Sequence, residues 1–227
     1  MKKAQNARGL FRATGHRTKA VADLIDGEFV KTDNPTRHPE DFDPTPPEPT
    51  LALIEAEFER LCELGMLWEP AAGDGAMARV LEARGFPVFR SDLKDRGHGG
   101  EVKSFFDYRT PPRGIRGEVT NPPYNLVNWR DGKAAWLRHS IEVLGLEYVA
   151  LLLSWAWPAA AGLVGVWQDM PPARVYLMRW KIDFTGQGAP PMLNAWFIWD
   201  AKWKGETVLR MLDRRADVAQ LKMETAI

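Results

Sequence analysis

Residues 68–75 read Trp-Glu-Pro-Ala-Ala-Gly-Asp-Gly and join a predicted strand, Met66 to Glu69, to a predicted helix that contains Met77, Val80 and Leu81. Small residues let a backbone approach a ligand closely, and glycine supplies the conformations that a tight turn needs. In doubly wound sheets, ligands bind at the carboxyl ends of the strands. The stretch therefore predicts an α/β fold with a nucleotide-type site, although a Gly-x-Gly turn alone does not identify the ligand.

Outward from this turn, predicted strands and helices alternate. Strands are expected at Pro87 to Asp92, near Val102, at Glu118 to Thr120, at Glu147 to Ser154, at Arg174 to Met178 and at Ala195 to Trp199. Helices are expected from Thr50 to Gly65, over residues 130 to 144 and from about Ala159 to Gln168. This alternation predicts a mostly parallel sheet with helices on both faces. The last two strands have no helix between them, so they should be antiparallel.

Two acidic positions narrow the choice of ligand. Asp92 closes the second strand, about 20 residues after the glycines, where a carboxylate can accept hydrogen bonds from ribose hydroxyls. After the third strand, Asp107 can accept from an adenine amine while Phe106 packs on the ring. Other nucleotide sites fit less well, because Ala78 stands at the third glycine position of a dinucleotide motif and no Gly-Lys-Ser/Thr follows the turn.

A second motif, Thr-Asn-Pro-Pro-Tyr-Asn over residues 120–125, follows the fourth strand. It should lie at the same edge of the sheet as the glycine turn. Pro122 and Pro123 fix the backbone and remove two amide donors. The Asn121 side-chain oxygen and nearby carbonyls then remain as acceptors, which suits an NH2 group with its two donors.

The chemistry of an aromatic amine calls for such acceptors, because its lone pair is delocalised into the ring. Acceptors outside the ring plane favour the pyramidal form, which can attack a sulfonium methyl group directly and in line. Tyr124 offers a face on which a base flipped out of a duplex can stack. The sequence therefore predicts catalytic roles for Asn121, Pro122, Pro123 and Tyr124.

With these motifs, the chain resembles the amino-methyltransferases that act on nucleic-acid bases and carry the [DNS]-P-P-[YFW] motif. It looks most like the small adenine-N6 methyltransferases of phages and prophages. The resemblance covers about residues 41 to 200 and rests on Asp43 to Pro47, Glu69 to Gly75, Asp92, Phe106-Asp107, Asn121 to Tyr124, Phe184-Thr185-Gly186 and Ala195 to Trp199.

This resemblance implies a class I methyltransferase (Rossmann-like) fold with seven strands, the last of them antiparallel, and S-adenosyl-L-methionine as cofactor. Thr45 and Pro46 would help hold the methionine part, the glycine turn would lie under the ribose and methionine, Asp92 would take the ribose hydroxyls and Asp107 the adenine. The expected cofactor-binding residues are Thr45, Pro46, Glu69, Pro70, Ala71, Gly73, Asp74, Gly75, Asp92, Leu93, Phe106, Asp107 and Asn121. The product would be S-adenosyl-L-homocysteine, and no metal is expected.

The expected partner is DNA, with RNA open. The chain divides into a basic, largely irregular arm (1–40), a methyltransferase domain (41–203) and a C-terminal helix or tail (204–227), which leaves no separate target-recognition domain. The recognised DNA sequence would be short, or sequence recognition would be relaxed, or a homodimer or a specificity partner would supply it. The predicted contacts are Tyr124, Trp129 and Arg130, together with Arg179 and Lys181 in the loop from Arg179 to Asn194.

Several related activities share the motif. Asn rather than Ser at position 121 disfavours cytosine N4, and the arm is too short for the helical domain that precedes protein-glutamine enzymes. RNA adenine N6 remains open, as does a non-catalytic subunit that binds cofactor or nucleic acid. The intact motif from Asn121 to Tyr124 favours an enzyme.

The composition of the chain limits its charge distribution, its cysteine chemistry and the compartment in which it is expected. Lys+Arg and Asp+Glu each number 30, so positive charge for a nucleic acid must be concentrated locally. The single cysteine, Cys62, excludes a disulfide within the chain and a cysteine-rich zinc site. The basic N-terminus lacks the apolar core of a signal peptide, and residues 149–166 are interrupted by Pro158 and Gly162. A cytoplasmic protein of a bacterium or phage, without membrane contact, is expected.

Overall fold

A computed structural model describes residues 24–25, 28–29, 44–127, 134–159, 163–184, 186, 188 and 192–214. The chain divides into two compact units, Met1–Asp41 and Phe42–Ile227. In the first unit, strand β1 (Leu24–Ile25) pairs antiparallel with β2 (Glu28–Phe29), which gives a two-stranded sheet where the sequence predicts a largely irregular arm.

The second unit is built on a sheet of eight strands with the order β10-β8-β9-β7-β6-β3-β4-β5. The strands are β3 (Leu67–Glu69), β4 (Val88–Asp92), β5 (Glu101–Val102), β6 (Gly117–Thr120), β7 (Tyr148–Ser154), β8 (Arg174–Met178), β9 (Asn194–Asp200) and β10 (Val208–Leu212). Only β9 runs antiparallel to its neighbours, β7 and β8, and the other pairs are parallel. The prediction of a mostly parallel α/β sheet with an antiparallel late strand is confirmed.

Five α-helices accompany the sheet in the described part of the chain. They are α1 (Pro47–Leu64), α2 (Ala76–Ala83), α3 (Tyr124–Val127), α4 (Ala135–Arg138) and α5 (Val164–Asp169). Two 3₁₀ turns lie at Phe105–Asp107 and Trp157–Ala159, and a π-helical turn, His139–Val143, continues α4. Of the helix predicted over residues 130–144, residues 130–133 lie outside the described part, and Ala135 to Val143 are part α and part π. The helix predicted from Ala159 begins later, at Val164, after a 3₁₀ turn around Pro158.

Strand β10 corrects the expectation of a helix or tail over residues 204–227 and of a sheet with seven strands. Val208 and Leu212 have a spacing that suits one helix face, but the free edge of β8 offers backbone partners in parallel register, from Val208 with Arg174 to Leu212 with Met178. Backbone hydrogen bonds to an existing sheet outweigh a weak helical pattern in so short a segment. Residues 215–227 lie outside the described part.

Two apolar clusters cover the faces of the sheet. Helices α1 and α2 supply one cluster, in which Leu53, Ile54, Leu61, Met77 and Leu81 pack against inward residues of the central strands. The other face carries Trp68, Phe105, Trp136, Trp157 and Phe197 beneath α3 to α5. Because parallel strands share a direction, their carboxyl ends at Glu69, Asp92, Thr120 and Ser154 gather along one edge of the sheet, where Asn194 opens the antiparallel β9.

The opposite edge holds a buried ion cluster. Arg174 donates from Nε to Glu57 Oε1 and from Nη2 to Glu57 Oε2, each at 2.7 Å, and from Nη2 to Asp200 Oδ2 at 2.8 Å. Tyr176 also donates to Glu57 Oε1 at 2.5 Å. Glu57 has non-helical backbone angles within α1, so the helix is kinked where this cluster forms. Among the described residues, no helix combines the length and the apolar character needed to cross a bilayer.

Candidate functional site

The glycine turn between β3 and α2 is a tight, preorganised loop. Gly73 and Gly75 both have positive φ, 60° and 81°, a conformation that side chains with a Cβ rarely adopt. The Gly75 amide donates to the Ala72 carbonyl at 2.7 Å, and the Ala72 amide donates to the Ser91 carbonyl at 3.1 Å. Asp74 Oδ1 accepts from the Ala76 amide at 2.9 Å, which satisfies one donor at the start of α2.

Glu69 lies beneath this turn and anchors it. Its side chain is 3% exposed, and its Oε2 accepts a hydrogen bond from the Ala78 amide at 2.9 Å. Burial raises the pKa of the Glu69 carboxyl well above its ordinary value, against the smaller lowering effect of the Ala78 hydrogen bond. The structure thus places Glu69 under the predicted cofactor loop, bonded to the first turn of α2.

Asp92 connects the end of β4 to the glycine turn. Its Oδ2 accepts from the Gly73 amide at 2.8 Å, and its Oδ1 accepts from the Lys94 amide at 3.0 Å. The side chain is half-buried, whereas its neighbour Leu93 is 68% exposed. Each carboxylate oxygen can accept more than one hydrogen bond, so Asp92 can still receive hydroxyl donors from a ligand.

The 3₁₀ turn Phe105–Asp107 follows β5 at the same edge. Ser104 Oγ accepts from the Phe106 amide at 3.3 Å and starts the turn. Phe105 is buried and stacks on Trp136 with ring centroids 4.0 Å apart, which fixes the turn to the core. Phe106 is half-buried and Asp107 is exposed, so both predicted cofactor residues lie at the surface of this edge.

Asn121 lies directly after β6, the strand that pairs with β3 and so neighbours the glycine turn. Its Nδ2 donates to the Thr45 hydroxyl oxygen at 3.2 Å. The Asn121 Oδ1 atom is buried and has no hydrogen-bond partner within the described residues. The structure thus brings Thr45 and Asn121 together, as the sequence predicts for one site, and leaves a buried acceptor there.

Tyr124 begins α3, and the described residues of this helix are held at two places. Its phenolic oxygen accepts from Asn194 Nδ2 at 3.1 Å. The carbonyl of Val127, at the end of α3, accepts from the Trp157 indole at 2.8 Å. Between Asn121 and Tyr124, Pro122 is buried and Pro123 is exposed.

The predicted nucleic-acid contacts are only partly visible. Trp129, Arg130 and Thr185 lie outside the described residues. Arg179 pairs with Asp213 at 3.1 Å, and both side chains are largely exposed. Lys181 lines a shallow pocket together with Pro46, Trp180, Ile182 and Arg214. Lys181 is therefore near the segment that carries Thr45.

Asn194 was not predicted as a site residue, although it contacts Tyr124. It is the polar first residue of the strand Asn194–Asp200, and the apolar run from Ala195 to Trp199 follows it directly. An antiparallel strand starts where its parallel neighbours end, so its first residue belongs to the same edge as their carboxyl ends. That topological signal could have identified Asn194 from the sequence.

Comparisons with known proteins give the fold. No protein-family model matches the chain, and no curated protein matches it. A solved structure from Listeria monocytogenes, described as a candidate class I S-adenosylmethionine-dependent methyltransferase, superposes with a TM-score of 0.51 at 12% identity, over 80% of this chain and 70% of the other. The architecture of the chain is that of the class I, Rossmann-like methyltransferases.

Two more distant superpositions are with a modification subunit of a candidate type I restriction enzyme from Vibrio vulnificus and a candidate RNA methyltransferase from Pyrococcus horikoshii. The first has a TM-score of 0.49 at 13% identity and covers 75% of this chain and 46% of the other. The second has a TM-score of 0.47 at 13% identity and covers 66% and 81%.

Proposed function

We propose that the chain is an S-adenosylmethionine-dependent methyltransferase that methylates the exocyclic N6 amine of adenine in DNA. The observation that carries the proposal is the buried Oδ1 of Asn121, an acceptor with no partner among the described residues. It lies at the end of β6, beside the strand that leads into the glycine turn. An acceptor and a cofactor loop on adjacent strands suit group transfer to an amine.

The residues at the glycine turn fit the proposed cofactor. The positive φ angles of Gly73 and Gly75 open the backbone to close approach, and Asp92 supplies carboxylate oxygens for a ribose diol. Phe106 and Asp107 offer a ring face and an acceptor for an adenine. Bound at this edge, S-adenosylmethionine would supply a methyl group on a positively charged sulfur and would become S-adenosylhomocysteine.

Asn121 selects an amine as the nucleophile. Its Nδ2 is occupied by Thr45, so the amide presents its oxygen rather than its nitrogen to a substrate. The two prolines that follow have no N–H and cannot compete for this acceptor. An amide oxygen is too weak a base to remove a proton, so Asn121 orients the amine by hydrogen bonding and the displaced proton passes to water.

The presence of Tyr124 favours a nucleobase as the molecule that carries this amine. A nucleobase in a duplex must leave the stack before its exocyclic amine can reach a cofactor, and an aromatic face stabilises the flipped base. Together with Asn at position 121, the resemblance to the phage adenine-N6 enzymes favours adenine in DNA. RNA adenine, cytosine N4 and a non-catalytic role are alternative outcomes of the test below.

The test uses purified protein, tritiated S-adenosylmethionine and three substrates: unmethylated duplex DNA, single-stranded DNA and RNA. Digested nucleosides are identified by mass spectrometry. We expect N6-methyladenine from DNA with the wild type, no product with Asn121→Ala and measurable product with Asn121→Asp, which keeps an acceptor oxygen. Cofactor binding, measured by calorimetry, should remain in both variants, so that a loss of product reports on methyl transfer and not on an empty cofactor site.

Other results would change the proposal in defined ways. Label in RNA alone would replace the substrate and keep the chemistry. Product at cytosine N4 would contradict adenine. Cofactor binding without transfer to any of the three nucleic acids would contradict the proposed activity.

A further inference from the structure

We infer that Asn194 is a positioning residue that fixes the ring of Tyr124 for stacking on the flipped base. The inference rests on the proposed function and adds a residue that the sequence motifs do not include. It follows from the burial of Asn194, from its hydrogen bonds and from its place in the sheet.

Asn194 is a buried amide at the start of an apolar strand. It is 1% exposed, and β9 continues from it with Ala195, Trp196 and Phe197, all fully buried. A buried amide is costly unless its polar atoms are hydrogen-bonded. Its Nδ2 donates to two neighbouring elements, to Tyr124 Oη at 3.1 Å and to the Leu153 carbonyl at 3.4 Å.

Through these two hydrogen bonds, the Asn194 side chain connects Tyr124 to the sheet. Leu153 belongs to β7, and Asn194 pairs with Ser154 in the register between β7 and β9. The main chain from Asn194 onward is therefore held by the ladder of a central strand pair. The amide that bonds to the phenol is thus attached to the sheet.

The helix that carries Tyr124 is fixed at two points within its four described residues. The Trp157 indole holds the Val127 carbonyl, and Asn194 holds the phenol of Tyr124. With both points held, the ring has a set orientation before a base arrives, so less ordering is needed when the base stacks.

The experiment combines Asn194→Ala, Tyr124→Phe and the double variant in the full chain. The probe is the oligonucleotide that the wild type methylates best, with 2-aminopurine in place of the target adenine, because the fluorescence of this base reports stacking and unstacking. Binding affinity for the probe, its fluorescence change, cofactor affinity and the KM and kcat for unmodified DNA are measured for each variant.

We expect Asn194→Ala to weaken probe binding by about tenfold, the effect of one lost hydrogen bond, and to diminish the fluorescence change, with cofactor affinity within about twofold. Tyr124→Phe keeps the ring but removes the hydroxyl, so its affinity for the probe should fall by a similar factor. In the Tyr124→Phe background, the Asn194 substitution should add little. Thr207→Val is the control, because it removes a side-chain bond to the Pro172 carbonyl at the opposite edge and should leave the probe signal unchanged.

Additive losses in the double variant would overturn the inference, as would an equal loss of cofactor affinity in Asn194→Ala. If that variant fails to fold, Tyr124→Phe decides alone, and wild-type probe binding by Tyr124→Phe would overturn the inference. Failure of the proposed function looks different, because the wild type itself would then transfer no methyl group to nucleic acid.

Discussion

The Gly73 amide donates to Asp92 Oδ2 across 2.8 Å, so the carboxylate at the end of β4 shapes the glycine turn on the neighbouring strand β3. The other oxygen of Asp92 accepts from the Lys94 amide at 3.0 Å. Asp92 therefore connects two loops at the edge where the cofactor is proposed to bind, and both of its oxygens are needed as acceptors.

Asp92→Asn should weaken binding of S-adenosylmethionine by about 10- to 100-fold. A carboxamide accepts at one oxygen only, so its NH2 group would face either the Gly73 or the Lys94 amide. Calorimetry on the purified variant measures the loss. Asp95→Asn is the matched control, because Asp95 is exposed and accepts from the Gly97 amide in its own loop; an equal loss there would mean that the whole loop, and not Asp92, determines affinity.

Gly75→Ala should reduce cofactor affinity by at least about tenfold and also destabilise the fold by about 1 kcal/mol or more, because Gly75 has φ +81°. Gly85→Ala provides the comparison. Gly85 has a similar φ of +88°, and its added Cβ would meet nothing within 4 Å. Chemical denaturation should show comparable destabilisation in the two variants, and calorimetry should show a loss of cofactor affinity only in Gly75→Ala. Unchanged affinity in Gly75→Ala would place the cofactor elsewhere.

Thr45→Val should lower kcat by about tenfold, because the Asn121 amide loses the partner that sets its orientation. Valine has the shape of threonine without the hydroxyl, so packing changes little. Thr45→Ser keeps the hydroxyl and should retain most of the activity. Rates of methyl transfer at saturating cofactor measure the effect. Wild-type kcat in Thr45→Val would show that Asn121 is oriented without Thr45.

Glu118 should make the protein less stable as the pH rises. Burial raises the pKa of its carboxyl from 4.5 to about 8, while hydrogen bonds from Ser140 and Trp136 lower it less. Between these values, the folded carboxyl is protonated and the unfolded one is ionised. Unfolding therefore releases a proton, and the free energy of unfolding falls with rising pH by at most about 1.4 kcal/mol per unit.

Glu118→Gln should flatten this dependence between pH 5 and 8. Some slope should remain, because burial shifts the pKa of Glu69 in the same direction. Urea denaturation at each pH measures the slope, and Glu206→Gln, at an exposed position, should keep the wild-type profile. An unchanged slope in Glu118→Gln would mean that the carboxyl is not held protonated in the folded state.

Arg174→Met should cost about 3–5 kcal/mol of stability, because it leaves the buried carboxylate of Glu57 without its cation, whereas Asp200 keeps its ion pair with Arg60. Arg179→Met is the matched substitution at the exposed ion pair with Asp213 and should cost less than about 1 kcal/mol. Denaturation midpoints compare the two. Cofactor affinity of folded Arg174→Met should be unchanged, since Arg174 begins β8 at the opposite edge of the sheet.

The sequence predicts those features of the site that follow from local motifs. The glycine turn, Asp92 and the residues from Asn121 to Tyr124 are each set by a strand end and its adjoining turn. Likewise, the missing helix between β8 and β9 predicts their antiparallel pairing, which the structure confirms.

Other features depend on contacts between distant parts of the chain. The bond from Asn121 to Thr45 joins residues 76 positions apart, and the one from Asn194 to Tyr124 joins residues 70 apart. Strand β10 depends on the free edge of β8, which a helical spacing of apolar residues does not reveal. Glu118 is a charged residue type in a short strand, and only its position between Trp68 and Val149 in the sheet shows why it is fully buried.

Helix α1 has a consequence for how the chain folds during synthesis. Some of its partners come late: the Pro49 carbonyl accepts from the Trp196 indole, 147 residues further on, and Glu57 binds Arg174, 117 residues further on. While the chain is being made, α1 and the nearby α2 can pack early, but the later strands that complete their cluster emerge from the ribosome long afterwards. Part of the apolar side of α1 is then open to chaperones or to neighbouring nascent chains until β9 is complete, and contacts of such long sequence separation make the final docking slow.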